Sequence, residues 1–207
     1  MTTAGVLGFT GTWTLMMVAM MTPSVLPAVL LFRAAASDAP AGNCRVAPIL
    51  FIAGYFVAWS LLGVGVGVLR QATGVALEPW HRPLAALALI LAGTYQLTRW
   101  KAACLDHCRT PTHFFLRHWR PGPAGALFMG IHHGWFCVAC CAGLMVALIA
   151  LGLMNPWWMV TVVLVVLAEK AAPGGARLAV PVGIALIALG LGVGFGFIPV
   201  SDTMGGM

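Results

Sequence analysis

Long apolar runs separated by short polar stretches dominate the pattern along this chain of 207 residues. A helix needs about 20 mostly apolar residues to cross the hydrocarbon core of a bilayer. The segments that approach or exceed this length are residues 11–32, 46–69, 83–99, 124–152, 155–171 and 178–199. The pattern predicts an all-α fold, a polytopic bundle of about six transmembrane helices. We expect it to form a single membrane-embedded domain over residues 1–207.

The first segment, WTLMMVAMMTPSVLPAVLLF, contains Pro23 and Pro27. Proline lacks a backbone N–H and clashes with the preceding helical turn. We therefore expect a kink or a break in this helix. The third and fifth segments are short, whereas the fourth is long enough to tilt within a bilayer.

Lysine and arginine are distributed unevenly between the predicted connections. The first, third and fifth connections hold Arg33, Arg45, Arg99, Lys101, Arg109, Arg117, Arg120, Lys170 and Arg177. The second connection holds Arg70 and Arg82, and the two termini hold neither residue type. Because cytoplasmic loops carry an excess of lysine and arginine, the odd-numbered connections are predicted to be cytoplasmic and both termini to lie outside. Residues 100–122 then form the largest cytoplasmic piece.

The composition agrees with a membrane location. The chain is 61% hydrophobic and 8% charged, whereas about 25% of the residues of a soluble domain are charged. The N-terminus has no basic region, so we expect no cleavable signal peptide. The net charge of +6 follows from the loop residues and does not indicate a nucleic-acid partner. The expected surroundings are membrane lipid, with a membrane or periplasmic protein as the candidate partner.

Two groups of cysteines suggest metal chemistry. The six cysteines are Cys44, Cys104, Cys108, Cys137, Cys140 and Cys141. The first three lie in predicted cytoplasmic loops, where thiols are kept reduced. In the stretch CLDHC, His107 lies between Cys104 and Cys108, a combination that suits zinc or copper. A solvated loop with incidental thiols is the alternative.

The stretch GWFCVACCAGLM places three thiols inside the fourth apolar segment. On a helix, Cys137 shares a face with Cys140 and Cys141. Steps of four residues extend this face to the series Met129, His133, Cys137, Cys141 and Met145. Each step drifts by about 40°, so neighbouring members face one another but all five cannot bind one ion. We expect an intramembrane metal site here; tight packing of small residues is the alternative.

The first segment also carries four methionines in the stretch MMVAMM: Met16, Met17, Met20 and Met21. Thioethers are soft ligands that select Cu(I), although methionine is also an ordinary filler of helix cores. On the predicted topology these methionines lie in the outer half of the bilayer. Our hypothesis is that outer thioethers such as Met17 and Met21 pass a soft metal inward to the thiolates.

Glu169 and Lys170 end the fifth segment. The favoured interpretation is an ion pair that anchors the helix end; a proton shuttle or a neutraliser of a bound cation are alternatives. The chain contains no phosphate loop, dinucleotide fingerprint, HExxH or GxSxG motif. The sequence therefore favours a protein without catalytic activity but does not exclude an enzyme.

Several stretches together resemble one bacterial family. They are MMVAMMTPS, AGYFVAW, AGTYQLTRWKAACLDHCRTP, HHGWFCVACCAGLM, GLMNPWWM and LAEKAAPGG. The family consists of integral membrane proteins of unknown function that are described as predicted metal-binding, and the similarity covers about residues 12–175. The resemblance implies multi-pass placement in the bacterial inner membrane and a metal site at the cysteines. It supplies no demonstrated activity.

Three functions remain open at this point. The leading hypothesis is the binding of a soft transition metal, copper first and zinc second, for handling, transport or delivery to a partner enzyme. The second is a membrane thiol–disulfide oxidoreductase that uses the two cysteine groups. The third is an assembly subunit that docks a partner through GxxxG faces, such as Gly63 and Gly67 or the glycines of residues 190–196.

Overall fold

The computed structural model describes residues 3–35, 46–73, 81–151 and 156–198. Within these ranges all regular secondary structure is helical. The α-helices are α1 (Thr3–Ala35), α2 (Val46–Thr73), α3 (His81–Gln96), α4 (Arg99–Arg109), α5 (Pro111–His118), α6 (Gly122–Leu151), α7 (Pro156–Ala171) and α8 (Ala179–Phe195), and a short 3₁₀ helix spans Gly175–Leu178. The prediction of an all-α fold is confirmed.

Among the described residues, four helical stretches are long and apolar enough to cross a membrane, judged by length and composition: Gly5–Ala35, Val46–Ala72, Gly122–Leu151 and Gly175–Phe195. They expose large apolar side chains, among them Leu15, Ile49 and Ile184, which a bilayer can solvate. Helices α3 and α7 have 16 residues each, so each is about 24 Å long. Each predicted segment corresponds to a helix, while the count of six spans and the placement of the termini stay predictions.

Helix α1 continues through Pro23 and Pro27, so the helix is not broken there, and a kink at these prolines stays a prediction. Membrane helices tolerate proline because neighbouring helices and Ser or Thr hydroxyls satisfy the freed backbone groups. The helix is also held along α2, where the indole of Trp13 donates a hydrogen bond to the carbonyl of Trp59 at 3.1 Å.

The predicted loop over residues 100–122 is mostly helical, because α4 and α5 fold there. Pro111 lies at the first position of α5, where its missing N–H costs nothing. Phe114 and Phe115 give this short helix a buried face. Phe115 packs against Phe32 and Phe51 at centroid distances of 5.6 and 5.7 Å. Burial of Phe114 and Phe115 thus packs α5 against the rest of unit 1, although the surrounding stretch is polar.

Contacts within the chain divide it into two compact units. Unit 1 comprises the described residues of 1–74 and 106–138, and unit 2 those of 75–105 and 139–207. The boundary falls inside α6, between Val138 and Ala139. The interpretation of the chain as one domain stays a prediction.

In unit 1, α2 and the first half of α6 approach each other through glycine. A Cβ atom on Gly54 would meet the carbonyl of Leu127, and one on Gly130 would meet the carbonyl of Phe51, both closer than 3 Å. Gly134 lies in the same way against the carbonyl of Tyr55. Only glycine permits this backbone approach, and the approach carries Tyr55 to the surface of α6.

The GxxxG faces considered for partner docking are occupied within the chain. Gly63 and Gly67 of α2 lie against the rings of Trp13 and Phe9 in unit 1. In unit 2, Gly190 of α8 lies against Ala86 and Ile90 of α3. These small residues therefore serve the fold itself, and the assembly hypothesis loses the feature that suggested it.

A buried ion pair joins two helices of unit 2. Lys101 Nζ of α4 lies 2.5 Å from Glu169 Oε2 of α7, and the two side chains are 0% and 2% exposed. Gln96 Nε2 donates to the other carboxylate oxygen at 3.3 Å. The predicted ion pair at the end of the fifth segment thus involves Lys101. The sequence placed Lys101 in a cytoplasmic connection and did not predict that its side chain is buried.

Candidate metal centre

Helix α6, which carries the stretch GWFCVACCAGLM, is the most buried of the four long apolar helices. In an apolar stretch of 18 residues of this helix 61% is buried, against 22–39% in the corresponding stretches of the other three helices. Cys137, Cys140 and Cys141 are each only 1–2% exposed. The thiols therefore lie in surroundings from which water is largely excluded.

The three thiols form a compact group on this one helix. Their Sγ atoms all lie within 4.8 Å of one another, and those of Cys140 and Cys141 are 3.6 Å apart. Among the described residues, no other three His, Cys, Asp or Glu residues have ligand atoms this close together. Three thiolates bound about 2.3 Å from one ion in a plane would lie about 4.0 Å apart. A small inward movement would thus let all three bind a single metal ion.

Both tyrosines of the chain form hydrogen bonds to this cysteine stretch. In unit 1, the buried hydroxyl of Tyr55 lies 2.9 Å from Cys137 Sγ. In unit 2, the hydroxyl of Tyr95 donates to the carbonyl of Ala139 at 2.7 Å. Groups that hydrogen-bond to a ligand fix its orientation and tune its affinity for metal. Our reading of the sequence missed Tyr55, although a polar hydroxyl in the apolar stretch AGYFVAW was a signal that it needed a partner.

The remaining members of the four-residue series on α6 are also buried. Met129, His133 and Met145 are 2–3% exposed. The thioether of Met129 accepts a hydrogen bond from the backbone N–H of Arg120 at 3.4 Å. The ring of His133 packs between Tyr55 and Phe114 at centroid distances of 6.1 and 5.3 Å. Metal binding by His133 and Met145 stays a prediction.

The methionine stripes of α1 face the interior of unit 1. Met17 and Met21 are 0% exposed, and Met16 and Met20 are nearly as buried. Burial agrees equally with a packing role and with a ligand role for these thioethers. Their predicted part in metal transfer is therefore an open prediction.

The CLDHC stretch lies on helix α4, where Cys104 and Cys108 are one turn apart. Neither belongs to a close group of three ligand residues in the described ranges. Cys104 does lie within electrostatic range of the Tyr95 hydroxyl, as do Cys140 and Cys141. Burial raises the pKa of the Cys104 thiol above its ordinary value. Cys44 falls outside the described residues.

His107 lies between Cys104 and Cys108 in the sequence, and its ring stacks on Phe136 at a centroid distance of 4.0 Å. Burial lowers the pKa of its imidazole below the usual value. The nearby imidazoles of His118, His132 and His113 lower this pKa further, and Asp106 opposes them. The ring is therefore neutral at pH 7.

The helices and the thiol group together define a helical protein of membrane type with a buried soft-metal donor set. Over residues 10–193 the chain matches the family described as PpoB2, copper chaperone. Because this match covers most of the sequence, the chain belongs to this copper chaperone family. The resemblance to a metal-binding family is thereby confirmed. No curated protein and no solved structure matches the chain.

The donor set on α6 fits copper. Thiolates are soft and favour Cu(I), which needs no more than the three sulfurs that α6 supplies within 4.8 Å of one another. Structural zinc is almost always bound by four ligands in a tetrahedron. The family description specifies copper, so it supports the first of the two predicted metals and gives zinc no support.

Proposed function

We propose that this protein is a membrane copper chaperone that holds Cu(I) on Cys137, Cys140 and Cys141 and delivers it to a partner protein. Copper is the cargo of this site. The observation that carries the proposal is the group of three buried thiols on α6, with all Sγ atoms within 4.8 Å of one another. The match to the copper chaperone family supports the same function.

The arrangement suits a carrier. Thiolates bind Cu(I) strongly because both partners are soft, and burial to 1–2% exposure protects the thiols from oxidants in water. Three sulfurs leave room for a further ligand, so the copper can pass to another donor side chain of this chain before it reaches the partner. Binding releases protons from the thiols, and acid should therefore weaken it.

Further ligands would carry copper to and from this centre. We propose that Cys104 and Cys108 serve on the cytoplasmic side, where the distribution of lysine and arginine places α4. Cys104 lies near the Tyr95 hydroxyl, as do Cys140 and Cys141. Met17 and Met21 would serve on the outer side, and His133 and Met145 would extend the centre along α6. This assignment assumes six spans in the bacterial inner membrane with both termini outside.

The thiol–disulfide alternative is disfavoured by access. Exchange requires a thiolate to attack a disulfide sulfur through a mixed disulfide with the partner. Cys137 and Cys140 are each 1% exposed, so a protein partner could not reach them without opening the helix packing. A buried group of this kind suits a small ion better than a protein substrate.

The experiment compares the full chain in detergent with the variant Cys137→Ser/Cys140→Ser/Cys141→Ser after anaerobic loading with Cu(I). X-ray absorption should show copper–sulfur bonds of about 2.3 Å in the wild type, and elemental analysis should give the number of copper ions per chain. We expect the copper–sulfur signal to weaken strongly in the triple variant, where the other proposed sulfur ligands remain, and to persist in Cys44→Ser. Wild-type protein without copper–sulfur bonds, or an undiminished signal in the triple variant, would contradict the proposal.

A further inference from the structure

Three histidines from three different helices lie together in unit 1. His107 is in the last turn of α4, His118 ends α5, and His132 lies on α6. The ring centroids of His118 and His132 are 4.7 Å apart, and those of His107 and His118 are 6.1 Å apart. Three imidazoles at such spacing are a potential ligand set that contains none of the cysteines.

Two phenyl rings surround this histidine cluster. His118 stacks on Phe114 at 5.2 Å, and His107 stacks on Phe136 at 4.0 Å. The ring of His132 contacts both phenyl rings, at 5.6 and 5.1 Å. The imidazole nitrogens therefore lie among apolar groups, where a polar atom without a partner is costly.

The nitrogen atoms are arranged as in histidines that bind metals. His118 Nδ1 lies 3.2 Å from the carbonyl oxygen of Phe114. When Nδ1–H donates to that carbonyl, Nε2 is left with its lone pair, which is the usual state of a metal-bound histidine. His107 Nε2 is buried and has no hydrogen-bond partner within the described residues. A buried nitrogen without a protein partner is suited to accept a metal ion or a water molecule.

We propose that His107, His118 and His132 form a second copper site, made of imidazoles, beside the thiol site on α6. Imidazole is a ligand of intermediate softness that binds copper more weakly than thiolates bind Cu(I). The two sites are therefore graded in affinity, and this one would hold copper transiently. The inference goes beyond the proposed function, because its ligands and its test do not depend on the thiols.

The position of the cluster fits such a role. His132 precedes Cys137 by five residues on α6, which is about 7.5 Å along the helix axis. His133 lies between them, with its ring packed against Phe114 of the histidine cluster and against Tyr55, the hydrogen-bond partner of Cys137. Copper leaving the imidazoles would thus have a further ligand on its way to the thiols.

Binding requires a small rearrangement of the rings. The ligand atoms of the three histidines do not all lie within 4.8 Å of one another, whereas those of the three thiols do. His107 and His118 lie in the last turns of their helices, which fray more readily than helix interiors. The metal would draw the rings together, and the site would form as copper binds.

The test isolates the imidazoles in the full chain by replacing all six cysteines with serine, in detergent and after anaerobic loading with Cu(I). X-ray absorption should then show copper–nitrogen bonds of about 2.0 Å with imidazole scattering. Adding His107→Gln/His118→Gln/His132→Gln should lower the copper affinity at least tenfold and remove that scattering. His113→Gln is the matched control, since His113 is an exposed histidine of α5.

The reciprocal variant shows whether the fold survives. With all cysteines present, the triple His→Gln protein should keep its copper–sulfur signal, which demonstrates folding and leaves the thiol site intact. The proposal is overturned if the thiol-free protein shows no copper–imidazole scattering, if the triple His→Gln change leaves it unaltered, or if the site takes Zn²⁺ and excludes copper. A wild-type protein that shows no copper–sulfur bonds would contradict the proposed function and not this inference.

Discussion

The thiol cluster and the histidine cluster are two donor sets built in different ways. The thiols lie within five residues of α6, so the geometry of one helix brings them together. The imidazoles come from α4, α5 and α6, so they meet only when those helices pack. A donor set on one helix is arranged before a metal arrives, whereas a set shared by three helices, as we propose it, closes around the metal. The difference suggests that one site stores copper and the other exchanges it.

The supports of the two clusters are also distinct. The α2–α6 contact at Gly54, Gly130 and Gly134 holds Tyr55 against Cys137. The phenyl rings of Phe114 and Phe136 hold the imidazoles. Substitutions can therefore perturb one cluster, the other, or the whole fold, and the copper signals of the two sites report which has changed.

The largest effect is expected when the buried ion pair is broken. Glu169→Leu leaves the charge of Lys101 buried without a partner, which should cost about 3–5 kcal/mol of unfolding free energy. Both copper signals should decline together, because the fold and not a ligand is lost. Thermal unfolding in detergent, followed by circular dichroism, measures the change. The double variant Lys101→Met/Glu169→Leu should recover most of the stability, and a fully stable Glu169→Leu protein would show that the pair contributes nothing.

A smaller effect, confined to unit 1, is expected from Gly130→Val. The new side chain would collide with the carbonyl of Phe51 and push α2 from α6, at a cost of about 1–3 kcal/mol. Copper–thiolate affinity should fall because Tyr55 moves away from Cys137. Gly65→Val is the matched control, since a Cβ atom there meets nothing within 4 Å. Equal behaviour of the two variants would refute this role for the close contact.

Tyr55→Phe should act on the thiol site alone. The change removes the hydroxyl that lies 2.9 Å from Cys137 Sγ and keeps the ring that fills the core. We expect Cu(I) affinity at the thiols to drop about tenfold, with stability and the imidazole signal unchanged. Competition with a Cu(I) chelator measures the affinity. Tyr95→Phe, which loses a bond to a backbone carbonyl, should have a weaker effect, and the reverse order would be evidence against thiol orientation by Tyr55.

The smallest effect concerns a thiol outside the cluster. Burial raises the pKa of Cys104, and alkylating reagents react with the thiolate. At a given pH less of this cysteine is thiolate than in an open peptide, so its alkylation rate should reach half-maximum at a higher pH. Mass spectrometry of iodoacetamide-treated protein measures the profile, with the detergent-unfolded chain as reference. A midpoint at or below that of the unfolded chain would contradict the assignment.

The contrast between the clusters also explains what the sequence could predict. The spacing of Cys137, Cys140 and Cys141 determines their mutual distance once the segment is helical, and the long apolar run made the helix certain. The other long helices could also be predicted, because a long apolar segment is a local feature of the sequence. Pro23 and Pro27 do not break α1. Groups on neighbouring helices can satisfy the backbone of a helix at a proline, and the local sequence pattern does not show them.

Contacts between residues that are far apart in the sequence could not be predicted from it. Tyr55 and Cys137 are 82 residues apart, and Lys101 and Glu169 are 68 apart. The polar character of residues 100–122 suggested an open loop, since nothing local shows that a partner carboxylate would bury Lys101. His107 was grouped with its neighbours in CLDHC for the same reason, whereas packing turned it toward His118.

The hydrogen bonds of the two tyrosines give the protein a built-in spectroscopic reporter. Since the chain contains two tyrosines, labelling with 3-fluorotyrosine would yield a fluorine spectrum with two resonances. One probe would stand at the sulfur of Cys137 and the other at the carbonyl of Ala139. Copper arriving at the cysteines would shift both signals, and a lone shift would reveal which end of the stretch the metal occupies. Loading and release could thus be followed in an intact membrane without any introduced cysteine or tag.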